Sequence, residues 1–339
     1  MHRPMQAVIV AGGLGTRLRP LTFNRPKALV PLLNRPQILH ILDRLPKSVD
    51  EVFVAVNYLY ERVRDALHDA PLGRTVEVVE EPNPLGTAGA VKRLGDRLEG
   101  TFAVYNGDVI DSLSFSDFLA FHRKRRALAT VALHEVEDPS PFGVVGMEGT
   151  RITRFVEKPA AQEAPSHLVN AGRYLFEPEV LDEIPADVPV SMEREVFPKL
   201  ATKGLHGYPF TGYWSDAGTL SGYLASMSIL LANGGAGVGP RAKVGRAKVD
   251  GAVLIPDDCV ASGRIGPNVV MGPRCRVDDG TVSNSTMLEG AAIEAGGVVR
   301  GSVIGEDSTV GPGAVVEDSI VGDGARVGSG RRVFRERMA

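Results

Sequence analysis

Between Ala11 and Leu32 the chain reads AGGLGTRLRPLTFNRPKALVPL, with Gly12, Gly13 and Gly15 followed closely by Arg17, Arg19, Arg25 and Lys27. The apolar run MQAVIV before it reads as a strand, so the glycines form a turn where backbone approaches a ligand closely. Backbone amides of Gly12 to Thr16 then make a nest for phosphate oxygens. Arg17 and Lys27 reach the same anion from two sides. Two common phosphate motifs do not fit. The G-x-G-x-x-G register ends in Leu18, and no Gly-Lys-Ser/Thr stands after a glycine and four spacers.

Carboxylates come next. Asp108 follows the apolar run of VYNGDVI, and Asp216 stands in GYWSDAGT, also at a strand end. Two such acids suit Mg²⁺ on a nucleotide phosphate, because Mg²⁺ keeps most of its waters and takes few protein carboxylates. Asp111, in the same loop as Asp108, suits a cap on the next segment. In RFVEKP, Glu157 would accept hydrogen bonds from a sugar and Lys158 would sit on a phosphate. Adjacent strand residues point to opposite faces, so both reach one ligand only if the strand bends, which Pro159 encourages. Asn170, in VNAGRYLF, suits hydroxyl groups, and EEPNPLGTAGAV (Glu80 to Val91) offers backbone on which a planar base lies.

These residues need a scaffold. QAVIVA, EVFVAV, VEVVEE, TFAVYN and ATVALHEV read as strands; ILHILDRL, YERVRDALHDA and SDFLAFHRKRR carry helical periodicity between them. That alternation predicts an α/β fold, a mainly parallel sheet with helices on both faces. The texture changes near ANGGAGVG, which sets the expected domains at 1–232 and 240–339 with a Gly-rich linker at 233–239. From Pro240 onward the only aromatic is Phe334. Aliphatic residues recur every six positions, as in Ile265, Met271, Val277 and Met287, Ile293, Val299. That period predicts a β-helix whose coils stack, with slips such as Val299 to Ile304 at its corners.

The ordered motifs G-G-x-G-T-R-L-x-P-L-T…P-K, L-G-T-A-G, G-D, V-E-K-P, N-A-G and W-x-D-x-G resemble the sugar-1-phosphate nucleotidyltransferases. The resemblance covers essentially the whole chain and is nearest to the mannose-1-phosphate guanylyltransferase branch. It implies a Rossmann-like, mixed but mostly parallel sheet followed by a left-handed parallel β-helix of hexapeptide repeats. It implies a nucleoside triphosphate on Ala11, Gly12, Gly13, Gly15, Thr16, Gly86, Thr87 and Gly107, with Arg17 activating the leaving phosphates and Lys27 bridging them. Asp108 and Asp216 would hold Mg²⁺; Gly143, Glu157 and Asn170 would grip the sugar, with Lys158 on its phosphate. The sugar phosphate then attacks the α-phosphorus in line, with no covalent intermediate. A carboxylate from Glu80 or Glu81 pairs with guanine, which favours GTP, and mannose 1-phosphate is the favoured acceptor. Asn83, Pro84 and Gly107 follow the thymidylyl- and uridylyltransferase style, so a glucose-1-phosphate enzyme is the alternative. A non-catalytic nucleotide-sugar sensor is an alternative of another class. Such chains usually lose one of the residues that stand here as Arg17, Lys27 and the two aspartates.

Bulk composition narrows the rest. A formal charge of -3 and pI near 6.2 argue against a nucleic-acid or membrane-surface partner. HRKRR (His122 to Arg126) reads as a solvated helix end. Cys259 and Cys275 have no metal or redox spacing, which fits reduced thiols and a cytoplasmic location. No histidine stands in the repeat region, against a second, acyltransferase activity there. The flat sides and open edges of a β-helix predict a homo-oligomer.

Overall fold

In the computed structural model, which describes residues 5–339, every strand and helix expected in the first half is present. The strands are β1 (Met5–Val10), β2 (Val49–Val56), β3 (Thr75–Glu80), β4 (Phe102–Asn106) and β5 (Ala129–Glu135). They continue with β6 (Gly143–Glu148), β7 (Arg151–Glu157), β8 (Leu168–Phe176) and β9 (Leu205–Pro209). All nine share one sheet in the order β3-β2-β1-β4-β8-β5-β9-β7-β6. β3, β2, β1 and β4 are mutually parallel, whereas β8 runs antiparallel to β4 and β5, and β7 antiparallel to β6. The parallel half follows from sequence: Ala7, Val8 and Ile9, like Val52, Phe53 and Val54, are consecutive and buried, so both faces are covered. Val8, Phe53 and Val104 share a core with Ala88 and Val91 of the helix Gly86–Arg93.

The chain forms two compact units. One holds this sheet and comprises the residues up to Gly13 with Ile41–Trp214; the other joins Leu14–His40 to Ser215–Ala339. No change in composition marks either end of the 14–40 segment, yet it belongs with the C-terminal half.

That half is a parallel β-helix. Val253–Ile255, Val269–Met271, Ser285–Met287, Val303–Ile304, Ile320–Val321 and Arg337–Met338 stack as one parallel ladder. The strand Arg276–Ser283 turns a corner, pairing with Ala292–Ile293 at one end and Val298–Arg300 at the other. Register advances by sixteen residues from Val253 to Val269 and by seventeen from Val303 to Ile320. Three six-residue faces with a shortened corner give that step, which accounts for the slip at Val299 to Ile304. The repeating aliphatic residues, Ile265 to Val327, are all buried in a single core. Beside them runs a ladder of buried serines. Ser302 N donates to Ser285 Oγ (3.1 Å) and Ser319 N to Ser302 Oγ (3.0 Å), each a coil apart.

Cys259 and Cys275 lie in this core as free thiols, pushed up to about 11 and about 12 by burial. The helix Phe115–Arg125 corrects one expectation. Arg123 to Arg126 are exposed, but His122 is buried, with Nδ1 2.7 Å from Thr130 Oγ1 and Nε2 3.0 Å from Glu177 Oε1. Its face of the helix is part of the core, and burial lowers its pKa. Among the described residues no helix is long and apolar enough to cross a membrane.

Candidate active site

In the sheet unit, the carboxyl ends of four parallel neighbours lie side by side, the usual ligand edge of an α/β sheet. β1 leads into Ala11, Gly12 and Gly13, with Ala11 N donating to Ala55 O (2.9 Å). β4 leads into Gly107 and Asp108, and Gly107 N donates to Val10 O (2.9 Å). A Cβ on Gly107 would stand 2.9 Å from Val10 O, so only glycine lets the two turns close together and bring Asp108 beside the glycine loop's first residues. β3 leads into Glu80, which is exposed, and Glu81, which is 3% exposed. Glu81 Oε1 has no hydrogen-bond partner and lies 3.6 Å from the place a Cβ on Gly12 would take. Burial raises the pKa of Glu81, partly offset by a hydrogen bond from the Leu85 backbone. Of the two candidate acids, Glu81 is thus the one beside the glycine loop.

A second group lies on β7 and β8. Glu157 closes β7, and Lys158 takes a left-handed conformation (φ 50°) while its N–H donates to Phe142 O. The expected bend is there, and it brings Lys158 Nζ to 3.8 Å from Glu157 Oε1. Gly143 leaves room for the acid, since a Cβ there would stand 2.9 Å from Glu157 Oε2. Burial and then the charge of Glu193 raise the pKa of Glu157, with Lys158 and Arg194 opposing. Glu193, in MEREVF, was not singled out from the sequence; it accepts from Thr87 Oγ1 (2.8 Å) and Ser191 Oγ (2.9 Å). Thr87 is therefore committed to the acid next to Glu157. Gly86 (φ 72°) passes against Val190, whose carbonyl accepts from Ala88 N and Gly89 N. Asn170 is also engaged: Nδ2 donates to Tyr174 Oη (2.9 Å) and Oδ1 accepts from Gly172 N (2.9 Å). Trp214 donates to Ala171 O and packs edge-on against Phe142, adding an aromatic wall near Asn170 and Gly143. Asp111 is structural, accepting from Leu113 N and pairing with Arg173 Nε at 2.8 Å.

In the β-helix unit, Gly15 (φ 62°) lets the loop fold back, and Thr22 Oγ1 donates to its carbonyl (2.8 Å). A single 3₁₀ turn, Thr16–Leu18, presents Arg17, and a second, Lys27–Leu29, presents Lys27. Both meet Asp216 at one point. The position a Cβ on Gly218 would take is 2.7 Å from Arg17 Nη2, 2.7 Å from Asp216 Oδ1 and 2.8 Å from Lys27 Nζ. Gly218 N also donates to Asp216 Oδ1 (2.7 Å), fixing the carboxylate. Ten residues separate Arg17 from Lys27 and nearly two hundred separate them from Asp216, so folding makes this cluster. Two cations and an acid thus converge on one small residue, a combination with the charge and donor chemistry to meet phosphate oxygens. Gly218, like Glu193, was missed; its signal was the glycine two places after the aspartate in W-x-D-x-G.

The nucleotidyl transferase family profile matches residues 6–233. The chain belongs to this family. A profile described as the GMPPB C-terminal domain matches residues 237–338. Among curated relatives of this nucleotidyl transferase, mannose-1-phosphate guanylyltransferase 1 of Arabidopsis thaliana is 37% identical over 86% of the chain and 83% of its own length. Mannose-1-phosphate guanylyltransferase of Mycobacterium tuberculosis is 35% identical over 86% of the chain and 82% of its own length. Among solved structures, a putative glucose-1-phosphate thymidylyltransferase of Bacillus anthracis shares the fold (TM-score 0.61, 23% identity) over 66% of this chain and 94% of its own. HddC from Yersinia pseudotuberculosis does so with a TM-score of 0.58 and 25% identity, over 67% and 99%.

Proposed function

We propose that this nucleotidyltransferase moves a guanylyl group from GTP to mannose 1-phosphate, giving GDP-mannose and pyrophosphate. The observation that carries the reading is the meeting of Arg17, Lys27 and Asp216 at Gly218. A sugar-phosphate oxygen forms a bond to the α-phosphorus while the bond to the β-phosphate oxygen breaks, and pyrophosphate leaves with the electron pair. Gly12, Gly13, Gly15 and Thr16 cradle the triphosphate through their amides. Arg17 stabilises charge developing on the departing β- and γ-phosphates, and Lys27 sits across the reacting phosphates. No general base is needed, because a phosphate monoester is ionised near neutral pH.

Reactions of this family use a divalent cation, which we assign to Mg²⁺. The donors fit: Asp108 and Asp216 are both partly exposed carboxylates, and no group of three or more metal-ligating side chains exists among the described residues. Mg²⁺ keeps most of its waters and takes few protein carboxylates, so donors of this kind suit it. When bound, the ion supplies further neutralisation of the phosphate charge.

Glu81 reads guanine through its N1–H and 2-amino group, which would give its unpartnered buried oxygen the donors it lacks. Glu157 holds sugar hydroxyls, Asn170 and the Gly143 backbone line the same place, and Lys158 meets the sugar phosphate. The Arabidopsis and Mycobacterium relatives are both mannose-1-phosphate guanylyltransferases, which supports both substrates. Self-association through the β-helix completes the proposal, since its coils have flat sides and Phe334 is 55% exposed on them. The two buried free thiols suit the reducing cytoplasm.

The test is pyrophosphate release, crossing GTP, dTTP, UTP, ATP and CTP with the 1-phosphates of mannose, glucose and N-acetylglucosamine. GTP with mannose 1-phosphate should dominate. A dominant dTTP or UTP signal with glucose 1-phosphate would overturn the substrate assignment. Silence across the grid, from protein that binds a nucleotide sugar, would overturn catalysis altogether.

A further inference from the structure

We infer that the β-helix positions the phosphate loop through Arg25, so that Glu306 and Asp323 govern the rate of a reaction they never touch. This inference rests on the roles proposed above for Arg17 and Lys27. The loop cannot hold those two side chains alone. Between residues 14 and 30 its regular structure is the pair of three-residue turns at Thr16–Leu18 and Lys27–Leu29, too short for independent order.

What fixes it is a row of contacts to successive coils. Arg25 stands between Arg17 and Lys27 in the chain, and its side chain is only 13% exposed. Nη2 lies 2.5 Å from Glu306 Oε1 and 3.3 Å from Asp323 Oδ2. Asp323 also ties the coils together, since Oδ1 accepts from Glu306 N (2.9 Å). On the N-terminal side of Arg25 the docking continues. Arg337 Nη1 donates to Thr16 O (3.2 Å), the carbonyl next to Arg17. Pro20 rests on Gly322, where a Cβ would come within 2.8 Å of its ring.

A guanidinium this buried depends on its carboxylates, because removing them leaves a charge without compensation. Arg25 would then turn toward water and carry the loop with it. Displacement of about 1 Å at a reacting group costs as much as a hundredfold in rate. Arg25 is thus a positioning residue, and a coil that shifts Glu306 or Asp323 changes catalysis from outside the site.

The experiment compares the full-length wild type with Glu306→Gln/Asp323→Asn by hydrogen exchange and by steady-state pyrophosphate release. Residues 14–30 should exchange faster in the variant while the coils at 253–304 stay protected. kcat should fall about ten- to hundredfold with KM for the sugar 1-phosphate nearly unchanged. Arg25→Ala should cost a similar factor alone, and a clearly smaller factor in an Arg17→Ala background, because part of its effect runs through Arg17 and only the part through Lys27 remains. Unchanged exchange in residues 14–30 would overturn the inference, as would losses that multiply fully in the double variant. Wild-type protein that catalyses nothing would count against the proposed reaction instead, and the exchange measurement would still decide whether the acids hold the loop.

Discussion

The two units differ in what their functional groups are suited to recognise. In the sheet unit the distinctive side chains are half-buried or buried acids, Glu81 and Glu157, both with raised pKa values. A carboxylate that has lost its water gains most from neutral N–H and O–H donors, such as a base edge or sugar hydroxyls. In the β-helix unit the distinctive groups are the cations Arg17 and Lys27, held with Asp216 around Gly218. Those suit phosphates. In the proposed reaction, groups suited to selecting substrates belong mainly to the sheet unit and groups suited to neutralising phosphate charge mainly to the β-helix unit, with Asp108 and Lys158 as the exceptions.

The comparison makes graded predictions. The largest effect belongs to the cations: Arg17→Ala should lower kcat by about a thousandfold with an unchanged thermal melt. Pyrophosphate release and circular dichroism check this, and near-wild-type turnover would remove the distinction between the units. Gly218→Ala deletes no functional group but places a methyl among Arg17, Lys27 and Asp216. Since those are ends of flexible side chains, the fold should survive while kcat drops about ten- to hundredfold. In the sheet unit, Glu81→Gln should leave turnover with saturating substrate largely intact but cut the preference for GTP over ATP at least tenfold in kcat/KM, a difference of about 1.4 kcal/mol.

Glu157 gives a pH signature. In the proposed reaction its ionised form accepts from sugar hydroxyls, and its pKa is raised by burial first and by Glu193 second. KM for the sugar 1-phosphate should therefore rise as pH falls through that raised pKa. Glu193→Gln removes a like charge, so the acid limb should move to lower pH; an upward shift would contradict the assignment. The smallest effect lies within the coils. Ser302→Ala leaves the buried Ser319 N–H without its acceptor, which should cost about 1 to 3 kcal/mol in urea unfolding with kcat unchanged.

Much of this was legible before folding was considered. The glycine loop, the helical and strand periods and the six-residue columns are local patterns, and local patterns survive in sequence because neighbouring residues share one geometry. The bend at Pro159 was legible for the same reason, and it does bring Glu157 and Lys158 together. What was not legible depended on burial or distant partners. Glu80 and Glu81 are adjacent and chemically equal, and only packing beneath Gly12 separates them. His122 reads as one of five basic residues until Thr130 and Glu177 close over it.

By itself, then, the sequence determined the kinds of element, the coil repeat and the chemical types available to a phosphate site. Tertiary structure alone decided that residues 14–40 belong with the β-helix, that Gly218 is the point where three charged groups meet, and that Glu193 stands behind Glu157. The reason is range. Arg25 and Asp323 are almost three hundred residues apart, and no periodicity records a contact between segments that far separated until the chain has closed on itself.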